Sequence, residues 1–101
     1  MSVNVLLSFT VTGLTDEAQA RAVVSTLAEL MRDERIEDEV GLGWSLEDGR
    51  YFVTGETDYP LCVSRFYRWR PEFESSFHRR VVEVAPEAVK AVAWGYPDED
   101  D

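Results

Sequence analysis

Asp48-Gly49 constrains this chain more than any other dipeptide in it. A two-residue type I′ turn needs positive φ at both positions, and Asp-Gly is one of the pairs that accept it. The runs on either side alternate. Val40, Leu42, Trp44 and Leu46 interleave with Gly41, Gly43, Ser45 and Glu47, and Arg50-Tyr51-Phe52-Val53-Thr54 follows the turn. A turn at 48–49 sets Leu46 opposite Tyr51, Trp44 opposite Val53 and Glu47 opposite Arg50. Apolar residues then gather on one face, so the register is self-consistent.

The flanking segments supply the other elements. Val3, Val5, Leu7, Phe9 and Val11 alternate with Asn4, Ser8, Thr10 and Thr12, Leu6 excepted, which predicts a half-buried strand ended by Gly13. Thr15 is placed to cap a helix over 16–34, with Asp16 and Glu17 in its first turn and Ala20, Val23, Val24, Leu27, Leu30 and Met31 at helical spacing. Residues 60–85 admit several readings. Cys62, Phe66, Trp69, Phe73, Phe77, Val81 and Val84 form a seam at steps of three or four, but Pro71 interrupts it. The favoured reading is a short helix or irregular turn over 60–69, then a helix over 71–84 starting at Pro71. A single kinked helix and a third strand over 61–69 are the alternatives. Pro86 closes the helix, and Val89, Ala91 and Ala93 alternate within a last strand ending near Tyr96.

Strand, helix, hairpin, helix, strand resembles the ferredoxin-like βαββαβ arrangement, an α+β sandwich with two helices on one face of a four-stranded antiparallel sheet. The expected organisation is one domain over 1–97 and a disordered acidic tail over 98–101. That fold serves many unrelated functions, so the resemblance reaches the fold and stops there.

A chain of 101 residues has room for one core, and 45% apolar residues with twelve aromatics exclude a disordered chain. The one cysteine, Cys62, cannot form an intramolecular disulfide. The N-terminal segment has no basic region followed by a cleavage site, and no apolar run approaches the roughly 20 residues of a membrane span. A cytoplasmic location is expected. The net charge of −10 repels phosphate backbones and disfavours direct nucleic-acid binding.

That charge is uneven. Residues 1–59 carry a net −8, residues 60–97 a net +2, and the last four residues −4. The acidic run Asp33, Glu34, Glu37, Asp38, Glu39 reads either as a solvated linker or as a docking surface for a basic protein. It lacks the spacing of a calcium loop. Arg65, Arg68, Arg70, Arg79 and Arg80 either neutralise acids within the fold or, with Phe66, Tyr67 and Trp69, form an arginine–aromatic contact surface.

No residue carries a chemical signature. His78 stands four residues after Glu74, but one histidine cannot build a zinc site here. Cys62 belongs to the helical seam and is expected to be buried. Gly41 and Gly43 lie within a strand pattern, unlike a phosphate loop; with Trp44 and Phe52 on opposite faces they leave an uncrowded patch around Phe52. No catalytic residue, cofactor or metal site is expected.

The leading expectation is a bacterial or phage inhibitor or immunity protein that binds a basic protein partner. Its candidate contacts are Asp33, Glu34, Glu37, Asp38, Glu39, Arg65, Tyr67, Arg68, Trp69 and Arg70. One alternative is a homodimeric small-molecule-binding domain or small enzyme, with a pocket lined by Trp44, Tyr51, Phe73 and His78. Another is a nucleic-acid mimic.

Overall fold

The computed structural model describes residues 2–97, so the expected tail at 98–101 lies outside the described residues. The elements are β1 (Ser2–Leu14), α1 (Glu17–Asp33), β2 (Val40–Glu47), β3 (Arg50–Thr57), β4 (Leu61–Ser64), α2 (Phe66–Val84) and β5 (Val89–Gly95). The fold is α+β, two helices on an antiparallel sheet. Among the described residues the sheet has five strands where four were expected, and the additional strand, β4, comes from the ambiguous segment 60–85.

β1 organises the sheet. It pairs with β3 from Ser8↔Glu56 onward, with β4 over Ser2–Val5 and with β5 over Leu6–Thr12. The β2–β3 hairpin has the register read from the sequence, with Leu46 opposite Tyr51, Trp44 opposite Val53 and Glu47 opposite Arg50. Asp48 and Gly49 take φ of 54° and 75°, the positive pair that turn requires.

Alternation along β1 sorts the layers. Val5, Leu7, Phe9 and Val11 are buried, and α1 (Ala20, Val23, Leu27, Leu30) and α2 (Phe66, Phe73, Phe77, Val81) cover that face. Phe9 meets Phe77 edge-on, with centroids 5.0 Å apart. The opposite face carries Ser8, Thr12, Gly43, Ser45, Thr54, Ala91 and Ala93, all exposed.

Four local expectations are corrected. Gly13 does not end β1; at φ 80° it takes up a shift of register between Val11 and Leu14, a bulge that carries the strand on to buried Leu14. The cap of α1 is Asp16, whose carboxylate accepts from Gln19 N at 2.8 Å. Thr15 instead donates its N–H to Gln19 Oε1 at 2.8 Å, so the third helical residue ties back the residue before the cap.

Pro71 does not start α2, which already runs from Phe66. The proline removes the bond to the Tyr67 carbonyl, a loss of about 3 kcal/mol in a helix interior. Burial of Phe66 and stacking of Trp69 on Phe73, at 4.9 Å, offset it. Arg65, in the left-handed conformation (φ 55°, ψ 48°), turns the chain directly from β4 into the helix. Cys62 is the fourth correction. It is exposed, because it belongs to a strand and pairs with Asn4 on the helix-free face.

Candidate functional site

The end of α1 and the start of α2 meet. Trp69 Nε1 donates to Glu34 Oε1 at 2.7 Å, joining positions 35 residues apart. The acidic run 33–39 and the arginine–aromatic run 65–70, read separately in the sequence, therefore share one end of the molecule.

α1 closes on a Schellman motif. Arg35 adopts φ 63°, its N–H bonds to the Arg32 carbonyl at 3.0 Å, and the Ile36 N–H reaches the Met31 carbonyl at 2.9 Å. Arginine occupies the position that glycine usually fills, which hid the motif in the sequence. Ile36 is buried, Glu39 N donates to the Ile36 carbonyl at 3.0 Å, and Val40 is buried again as β2 begins. Glu37, Asp38 and Glu39 are exposed on a short turn pinned at both ends.

Asp33 and Glu34 have internal roles. Asp33 Oδ2 accepts from Arg80 Nη2 at 2.7 Å, and the same guanidinium reaches Glu29 at 3.4 Å and the Thr26 carbonyl at 3.5 Å. Arg80, largely covered, thus clamps α1 to α2. Glu34 is the Trp69 acceptor. The Arg80 contacts match the reading in which arginines neutralise acids within the fold.

The arginine–aromatic run divides in the same way. Arg70 donates to Glu74 at 3.1 Å and to the Tyr96 hydroxyl at 3.0 Å, and lies 5.8 Å from the Trp94 ring centroid. Trp94 Nε1 donates to the same Glu74 oxygen at 2.6 Å. Trp69 packs among Phe66, Phe73 and Trp94. Arg65, Tyr67 and Arg68 are exposed, Tyr67 to 78%, and neither arginine has an ion pair among the described residues. Six of the ten candidates, Glu37, Asp38, Glu39, Arg65, Tyr67 and Arg68, thus present free side chains at one end of the molecule.

The alternative pocket is not assembled. Trp44 pairs with Tyr51 at 5.8 Å under the Arg21 guanidinium, Phe73 is buried in the ring cluster, and His78 is exposed on α2. Glu74 turns to Arg70 and Trp94. An open depression of about 970 Å³ at the hairpin end is lined by Thr12–Leu14 and Glu47–Phe52. Among the described residues no group of three or more His, Cys, Asp or Glu is placed to hold a metal, and no helix is long and apolar enough to cross a membrane.

No family model matches the sequence, and no curated protein matches it. Among solved structures, the chain is similar to a de novo designed protein, Foldit4, with a TM-score of 0.67 at 11% identity, over 90% of this chain and 94% of that one. A second de novo designed protein, LFR1 1, with ferredoxin fold, gives a TM-score of 0.47 at 13% identity, over 91% and 84%. At such identities the first likeness speaks to the fold alone.

Proposed function

We propose that this chain is a non-enzymatic binding protein. It docks a basic protein partner through Glu37, Asp38 and Glu39, and inhibits or neutralises that partner in the manner of an immunity protein. The observation that carries this reading is the acidic turn. Its backbone is fixed by the Schellman motif and by buried Ile36 and Val40, while its three carboxylates make no hydrogen bond or ion pair among the described residues. A preformed charged surface loses little freedom on binding and steers an oppositely charged partner toward it. Exposed Arg65, Tyr67 and Arg68 lie on the segment that Trp69 joins to Glu34 at the end of α1, and would contact the acidic rim of the same partner.

The experiment is capture from lysate by the immobilised chain and by a Glu37→Lys/Asp38→Lys/Glu39→Lys variant, at low and high salt. A basic protein retained by the first, lost with the variant and released by salt is the expected result. The absence of any partner, or a partner indifferent to both changes, refutes the reading. The pocket reading draws no support from the scattered positions of Trp44, Tyr51, Phe73 and His78.

For the fold, we read β3 and β4 as one strand interrupted at 58–60. β4 takes up β1 at Val5↔Leu61, just beyond Ser8↔Glu56. Between them Thr57 Oγ1 accepts from Leu7 N and donates to Leu7 O, standing in for a missing rung of the ladder. On this reading the chain returns to the ferredoxin-like βαββαβ order.

A further inference from the structure

We propose that the helix-free face of the sheet binds the same face of a second copy of this chain. This face is distinct from the acidic turn. Its strand residues are mostly small, with Gly43 and Ser45 on β2, Thr54 on β3, and Ala91 and Ala93 on β5 all exposed. Phe52 rises among them, half-buried, opposite Ser45 and diagonal to Gly43. At Gly43 an added Cβ would meet nothing within 4 Å, so the position is an open hollow beside a large ring. The face therefore carries both a knob and a hole, as a self-complementary interface must.

The charges carry the argument further. The chain has a net charge of −10, yet strand alternation places only Glu47, Arg50 and Glu56 on this face. Among the described strand residues, this face carries a net charge of only about −1. Arg50 and Glu56 lie three residues to either side of Val53 on β3. A two-fold axis crossing the strands at the level of Val53 lays β3 antiparallel over its copy, within the small angle usual for packed sheets. Arg50 then faces Glu56 of the second copy, and the axis makes that pair twice. Phe52 comes over Thr54 of the second copy, beside its Gly43 hollow. Neither Arg50 nor Glu56 has an ion pair within its own chain among the described residues.

The size is sufficient for a reversible dimer. Four strands about 4.8 Å apart and roughly six residues long give a face of about 20 by 20 Å. With side-chain relief this buries on the order of 600 Å² per copy, the lower end of specific interfaces.

Sedimentation equilibrium over a concentration series tests the proposal on the full chain. The wild type is expected to dimerise reversibly. Arg50→Glu and Glu56→Arg should each raise the dimer dissociation constant about tenfold or more, and the double swap R50E/E56R should return it to within about threefold of wild type. Gly43→Lys, whose side chain has room in the monomer, should leave the chain monomeric. A wild type that is monomeric throughout overturns the proposal. So does a dimer that ignores R50E, or one that the double swap does not restore.

Discussion

The ring of Phe9 occupies the space that a side chain at Gly55 would need. The two residues are opposite each other in the β1–β3 ladder, and a Cβ on Gly55 would overlap the Phe9 ring. Phe9 cannot swing away, because it lies edge-on against Phe77 in the core. Gly55→Ala should therefore lower stability by about 3 kcal/mol, or Tm by roughly 10–20 °C, in a thermal melt followed by circular dichroism. A Tm within a few degrees of wild type would show that the ring yields.

Thr57 is the one buried polar residue in the described core, and its hydroxyl serves both the N–H and the carbonyl of Leu7, at 3.0 and 3.4 Å. Thr57→Val keeps the shape and leaves both groups unpaired, so it should cost about 2 kcal/mol. Thr57→Ser keeps the hydroxyl and should cost about half as much. Urea titration is the measurement, with the midpoint falling at an unchanged m-value.

The Trp69–Glu34 bond is a charge-assisted contact between the two helices. Trp69→Phe and Glu34→Ala should each destabilise by about 1 kcal/mol, and the double variant by clearly less than their sum. A double-mutant cycle in denaturant measures the coupling. Full additivity would mean that the bond adds nothing to the joining of α1 and α2.

Pro71 sits within the second turn of α2 and is exposed. Pro71→Ala restores a donor to the Tyr67 carbonyl and removes the ring from the turn before it. The variant should gain up to about 3 kcal/mol, a rise in Tm on the order of 10 °C by calorimetry. An unchanged or lower Tm would show that the helix depends on the proline's fixed φ.

The hairpin was legible to the residue because turn chemistry and alternation agree there. β1, α1 and β5 were legible because each follows a single period. Residues 60–66 were not. Leu61 and Val63 fit a strand while Cys62 and Phe66 fit a helix, and only pairing with Ser2–Val5, some sixty positions away, decides between them. Pro71 misled for a related reason, since a local penalty was overruled by ring packing that the sequence does not display. In the site, the acids and arginines were visible as types. Their division into internal and free groups depends on which reach Trp94, Tyr96 or Arg80 across the fold. The bond that unites the two runs, Trp69 to Glu34, has no local signal at all.

The central position of β1 has a consequence for the order of events at the ribosome. The strand that every other layer leans on is made early, yet Leu6 finds Gly95 and Thr12 finds Val89 only when the last strand has emerged. Until then one edge of an apolar strand stays open, with Leu7, Phe9 and Val11 lacking their partners on β5. Such long-range closure slows folding and exposes nascent chains to association. Synthesis paused just before β5 should thus be the moment at which this chain most needs a chaperone.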